Sequence, residues 1–133
     1  MAATLGQVRN ALASALEDAY PGWNVYRLPP ETVEVPAFVI TGFSVVPQAA
    51  ARVDMAEAEV NVLVSHRHVD QIELLDEVLS PGADGSVWSC VESDPSLGGV
   101  VSSTVVTDAG NYQATTVADV AYYAAAFSVQ VML

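Results

Sequence analysis

The side chains best suited to chemistry are two histidines, an aspartate and one cysteine. His66, His68 and Asp70 follow one another at two-residue spacing, which on an extended chain would place three potential metal ligands on one side. Arg67 lies between the histidines, and its positive charge disfavours a bound cation. The segment also falls where a strand is expected to give way to a helix, a position that favours polar and capping residues anyway. We therefore predict that these residues hold no metal.

Cys90 is the only cysteine in the chain, which excludes an intrachain disulfide and a cysteine-based zinc cage. It lies among apolar residues such as Trp88 and Val91, and neither histidine is near it in sequence. A cysteine in such surroundings usually packs as a small hydrophobe. Recognisable Ser/His/Asp, Cys/His and glycine-rich phosphate-binding motifs are missing from the sequence. The sequence thus predicts no catalytic residues, no cofactor and no enzyme.

The charge balance argues against nucleic-acid binding. Sixteen acidic residues accompany four arginines and no lysine, for a formal net charge of -12. Wrapping a nucleic acid requires clustered Lys and Arg to displace counterions, whereas this surface would repel phosphates. The same charge can also serve simply to keep an apolar protein soluble.

Size and hydropathy predict one domain that has a partner. The 133 residues suffice for a single core, so we expect one domain over 1–133. Hydrophobic residues make up 52% of the chain and the mean hydropathy is +0.36, which is high for a lone soluble monomer. No run approaches the roughly 20 apolar residues that span a bilayer, and residues 1–16 do not form a signal-peptide core. We expect an intracellular protein without membrane contact.

Apolar spacing and turn residues predict an α+β fold, with a mostly antiparallel sheet of four to five strands and two to three helices packed on one face. The predicted helices cover 4–20, a segment that begins near 69 and ends at Ser80-Pro81-Gly82, and about 86–92, with Asp84 or Ser86 as the cap of the last. The predicted strands cover 23–28, 37–43, 55–65, 100–107 and 117–132, with a polar connection at 108–116.

The strand predicted at 55–65 alternates strictly, with Ala and Val at even positions and polar residues at most odd ones. Its odd positions include Glu57 and Glu59, which we expect on a wet, acidic face of the sheet. This face is a candidate lining for a channel or lumen.

Two other features are candidate contacts between subunits. The apolar connection at 44–53, which contains Val45, Val46 and Arg52, can either fold back on its own core or lie on a neighbouring copy, with Arg52 bound to a carboxylate. Tyr122 is expected on the sheet face opposite the helices, as a subunit contact or as an ordinary surface tyrosine.

Several segments together resemble the tail terminator (tail completion) proteins of long-tailed bacteriophages, especially those of actinobacterial hosts. The segments are Ala-Tyr-Pro-Gly at 19–22, Leu-Pro-Pro at 28–30, Val-Pro-Ala at 35–37, Leu-Leu-Asp-Glu-Val-Leu at 74–79, Gly-Ser-Val at 85–87 and Asp-Pro-Ser-Leu-Gly-Gly at 94–99. The resemblance spans most of the chain. It rests on arrangement and not on any catalytic signature.

The resemblance implies a virion structural protein, assembled in the host cytoplasm and located in the tail or neck. It would form a homo-oligomeric ring, expected to contain six copies, on the head-proximal end of the tail tube. Its partners would be the major tail tube protein, whose polymerisation it ends, and the head-to-tail connector proteins that dock on it. DNA would pass through the acidic lumen without specific binding.

Three other readings of the sequence stay open. Another phage neck or head-to-tail connector subunit would share the size, acidity and ring formation. A small ligand-binding or enzyme domain of α+β type is compatible with the length. A regulatory or immunity-type protein that mimics nucleic-acid charge would also be acidic, and monomeric behaviour in solution would favour it.

Overall fold

The computed structural model describes residues 4–28, 31–46, 55–65, 69–80, 85–93, 96–101, 103–117 and 120–132. The elements in chain order are α1 (Leu5–Ala19), β1 (Asn24–Tyr26), β2 (Ala37–Val46), β3 (Met55–Ser65), α2 (Val69–Val78), α3 (Val87–Ser93), β4 (Ser103–Val117) and β5 (Val120–Met132). The five strands form one sheet in the order β1-β2-β3-β5-β4. Only β1 and β2 run parallel; the other pairs are antiparallel. The predicted α+β fold is confirmed.

Helix α1 begins at a capping box. The Thr4 hydroxyl accepts a hydrogen bond from the Gln7 amide at 3.2 Å, and the Gln7 side-chain oxygen accepts one from the Thr4 amide at 2.9 Å. Two backbone donors that the helix itself cannot satisfy are thereby paired. The buried side of α1 carries Val8, Leu12 and Leu16, so the apolar spacing of the sequence points this helix at the sheet.

The main core lies between the helices and one side of the sheet, here called the helix side. The even positions of β3, from Ala56 to Val64, are at most 1% exposed on this side. Phe38 of β2 lies at their centre, stacked on Trp23 with ring centroids 4.7 Å apart and edge-on to Phe127 at 6.3 Å. Aromatic pairs of this geometry add stabilisation beyond that of the buried area.

A bulge in β2 changes which residues face the core. Ile40 pairs with Val60 and Gly42 with Glu59, so Thr41 is an extra residue without a partner on β3. One extra residue shifts the alternation by one position. Beyond the bulge, Phe43 and Val45 therefore join the helix side, opposite Ala58 and Ala56.

The outer face of the sheet, on the side away from the helices, is apolar at one end. Val39, Leu63, Tyr122 and Ala124 form a second buried cluster there, with Tyr26 and Val35 packed against it. The Tyr122 hydroxyl donates a hydrogen bond to the Val33 carbonyl at 3.1 Å. The apolar outer surface of β2 at Val39 is covered by Tyr26 and by the segment that follows β1.

The polar connection predicted at 108–116 is wrong, because these residues belong to β4. Pairing with β5 continues to Val117 opposite Val120. Register shifts between Val106 and Asp108 and between Gly110 and Gln113 accommodate the irregular residues, and Gly110 takes a φ of 145° that favours glycine. Glycine and asparagine mark bulges here and not a turn.

Replacing Tyr122 with Phe should lower the free energy of unfolding by roughly 1–3 kcal/mol, because the Val33 carbonyl loses its donor inside a buried cluster. Tyr26→Phe is the matched control. Its hydroxyl accepts a hydrogen bond from the Glu34 amide at an exposed position, where water can replace it, so we expect a smaller loss. Urea denaturation measures both; equal losses would show that the Tyr122 contact is not buried in solution.

Candidate functional site

The other end of the outer face carries carboxylates. Glu57 and Glu59 project from β3 and are exposed. Glu59 lies in a row with Gly42, Ser128 and Asp108, and Glu57 in a row with Ser44, Gln130 and Val105. We call these eight residues the acidic half-face. Glu57 and Glu59 therefore lie on an exposed face of β3, and their place in a lumen stays a prediction.

A shallow depression of about 220 Å³ lies within this surface. Its lining residues are Thr41, Gly42, Phe43, Ser44, Glu57 and Glu59. The bulge opens it: the Thr41 hydroxyl donates to the Glu59 carbonyl at 3.1 Å, and Gly42 contributes no side chain beside Glu59. At about 30 Å³ for each water molecule in the liquid, the depression has room for several waters or a small charged group.

No base neutralises Glu57 or Glu59 within the described part of the chain. The ion pair found there joins Arg27 to Glu17 at 2.8 Å, and with both side chains more than 40% exposed it contributes little to stability. The two glutamates lie two residues apart on one strand, about 7 Å, so their negative potentials add. This surface attracts cationic groups.

Arg9 is a functional candidate that the sequence did not reveal. Its guanidinium carbon lies 5.2 Å from the centre of the Phe43 ring, a cation–π arrangement. Its Nε is buried and has no hydrogen-bond partner among the described residues. The bulge that brings Phe43 beneath Arg9 leaves no signature in the periodicity of the sequence.

The predicted interface residues have different outcomes. Val45 is 47% exposed at the end of β2, which leaves it available for a contact. The backbone of Val46 ends the same strand. Arg52 lies outside the described residues, so its role stays a prediction. Tyr122 does lie on the face opposite the helices, but at 8% exposure it is neither a surface tyrosine nor an accessible contact.

The three residues considered above as potential metal ligands also have different outcomes. His66 and His68 lie outside the described residues, and Asp70 is exposed in the first turn of α2. Among the residues that the structure describes, no three His, Cys, Asp or Glu side chains are grouped to hold a metal ion.

Cys90 lies beside a cavity of about 150 Å³ between the ends of α1 and α3. Its thiol is 3.8 Å from the Ala15 carbonyl, and burial raises the pKa of the thiol, which lowers the fraction present as reactive thiolate. In the same place the Tyr20 hydroxyl donates to the Gly85 carbonyl at 2.7 Å. Burial, followed by Cys90 and Glu77, raises the pKa of Tyr20. These contacts fix the junction of α1 and α3.

Comparison with known proteins gives no assignment: no protein-family model matches the chain, and no curated protein does. Within the described ranges, none of the helices has the length and apolar character of a membrane span.

The raised pKa of Tyr20 predicts a loss of stability at alkaline pH. The folded state keeps this proton when the unfolded chain, with an ordinary tyrosine pKa of about 10, has lost it. The contribution is therefore complete below about pH 10 and is lost as the pH rises towards the folded-state value. Tyr20→Phe should be less stable at pH 8 by about 1 kcal/mol, from the lost hydrogen bond, yet decline less steeply above pH 10. Urea midpoints at pH 8, 10 and 11 test this; parallel declines would contradict it.

Proposed function

We propose that the protein is a tail terminator, which assembles as a ring on the head-proximal end of a phage tail tube, ends tube polymerisation and forms the docking surface for the head connector. The observation that carries the proposal is the division of the outer face of the sheet. The apolar end is closed by the chain itself through Tyr122 and Val33, while Glu57, Glu59 and Asp108 of the acidic half-face are exposed. A surface of this kind suits assembly better than catalysis.

Three of the segments that resemble terminators lie at the ends of helices or in a turn. Tyr20, in the Ala-Tyr-Pro-Gly segment, is the C-cap of α1. Ser86, in Gly-Ser-Val, accepts a hydrogen bond from the Ser89 amide at 3.2 Å as α3 begins. Leu97, Gly98 and Gly99 all take positive φ values in the turn between α3 and β4. The residues that carry the resemblance in these three segments therefore mark boundaries between elements of this fold.

Ring closure requires each copy to bury surface on the next. Several large apolar side chains of the described residues are at least 36% exposed and available for this purpose: Leu28, Val45, Leu74, Val105, Tyr112, Val120 and Met132. Six copies at -12 each carry about -72 formal charges. A lumen lined by part of this charge would repel DNA phosphates and let the genome pass.

Tail tubes assembled from the major tube protein in the presence of this protein should carry one ring at one end, because a terminator recognises the finished tube and not its wall. Negative-stain electron microscopy provides the measurement, with tubes alone as the control. Copies scattered along the tube, or none bound, would reject the proposal. A protein that stays monomeric and ignores tubes would fit an acidic nucleic-acid mimic instead.

Arg52→Glu should abolish capping, so that tubes grow beyond their normal length, while the monomer keeps its fold by circular dichroism and melting temperature. Breaking a charged pair at an interface costs about 2–5 kcal/mol, largely because the partner carboxylate is left unpaired, and the cost recurs at each interface. Arg27→Glu is the control with the same charge change, since Arg27 binds Glu17 of its own chain at the surface. If Arg52→Glu caps tubes as well as the parent, the contact between copies lies elsewhere.

A further inference from the structure

Arg9 has no carboxylate partner among the residues that the structure describes, although the chain has an excess of acids. Of the four arginines, Arg27 is ion-paired, and Arg52 and Arg67 lie outside the described residues. Arg9 makes no ion pair within the described part of the chain, and its Nε is buried without an acceptor. A guanidinium has five N–H donors and no acceptor. Since the Nε–H is shielded by the chain itself, the terminal N–H groups of the guanidinium are the donors left for an acceptor from outside.

The surroundings of Arg9 are those of an interface anchor. Phe43 holds the guanidinium by a cation–π contact, which orders the side chain before any partner arrives. Val45, two residues along on the same side of β2, is 47% exposed. Arginine and aromatic residues are enriched among the side chains that dominate binding energy at interfaces. We call Arg9, Phe43 and Val45 the Arg9 patch.

The Arg9 patch and the acidic half-face lie on opposite sides of the same part of the sheet. Phe43 pairs with Ala58, which lies on β3 between Glu57 and Glu59 but points to the helix side. Among the described residues, the Arg9 patch has a cation with no carboxylate bound to it, and the acidic half-face has carboxylates with no base bound to them. Because the two surfaces point in opposite directions, a chain cannot join them to each other.

We propose that the Arg9 patch of one copy binds the acidic half-face of the next copy, with the Arg9 guanidinium in the depression between Glu57 and Glu59. A second copy is the occupant that the charges favour, since it brings both missing partners. The contact joins different surfaces of identical chains, so it is heterologous; it repeats from copy to copy and closes into a ring when the rotation between copies divides a full turn. The inference rests on the ring of the proposed function, and it assigns Glu57 and Glu59 to the contact between copies and not to the lumen.

A charge-swap experiment tests this contact. Arg9→Glu and Glu59→Arg should each weaken self-association at least about thirtyfold, as expected for one broken interfacial pair, and the double variant should recover most of it. Arg27→Glu and Glu73→Arg are controls with the same charge changes, at the Arg27–Glu17 surface pair and at an exposed position of α2. Sedimentation equilibrium over a concentration series gives the association constants. If the free chain is monomeric, half-saturation of tail-tube ends replaces them.

Melting temperatures establish that each variant is folded. If Arg9→Glu does not fold, Arg9→Gln replaces it, because it removes the charge without reversing it. Loss in both single variants with recovery in the double variant supports the contact. Unchanged association of either single variant overturns it, as does a double variant no better than the single ones. If the variants cap tubes normally, the contact is wrong and the terminator proposal stands. If the swap behaves as expected but the parent never caps tubes, the contact stands and the terminator proposal fails.

Discussion

The burial of one side of β3 is the constraint on which the rest of the structure depends. Ala58, Val60 and Val62 are completely buried between the sheet and the helices. Because successive side chains of a strand point to opposite faces, a slip of one residue would move Glu57 and Glu59 into this core. Burying unpaired carboxylates costs far more than a lost apolar contact. The core therefore sets the register of β3, and the register in turn presents the two glutamates on the outer face.

The outer face shows how the same sheet serves two purposes. Near Tyr122 the chain covers its own apolar surface, and the Tyr122 hydroxyl donates a buried hydrogen bond to the Val33 carbonyl. At the opposite end, Glu57, Glu59 and Asp108 are exposed, and no described segment covers them. An apolar surface over the whole face would promote indiscriminate association. A face that is partly closed and partly acidic restricts the partners to surfaces that carry a positive charge in the right place.

Much of the fold could be predicted from local patterns. The bounds of β3 match the alternation of residues 55–65, and α1 at Leu5–Ala19 lies within the helix predicted over 4–20. The turn between β4 and β5 could not be located from the sequence. Glycine and asparagine occur in bulges as well as in turns, and only the pairing of β4 with β5 distinguishes a bulge from a turn. The sequence predicted the correct face of the sheet for Tyr122 but not its burial. The segment around Val33 that buries it is remote in sequence and has no strand or helix periodicity.

The candidate site was predictable only in part, for a similar reason. Glu57 and Glu59 follow from alternation alone, whereas Arg9 depends on a single extra residue at Thr41, which turns Phe43 towards the helix. A bulge of one residue leaves composition and apolar spacing almost unchanged. The long-range pairing of β2 with β3 places the Phe43 ring beneath Arg9 of α1.

The most direct test of the central claim, that the acidic half-face is covered when copies assemble, is carboxyl labelling with a carbodiimide and an amine, read by peptide mass spectrometry. The free protein and the protein assembled on tail-tube ends are labelled side by side. The account predicts that Glu57 and Glu59 lose most of their labelling on assembly, while Glu73 on α2 and Glu92 on α3, both exposed, change less. Equal labelling of Glu57 and Glu59 in the two states would contradict it.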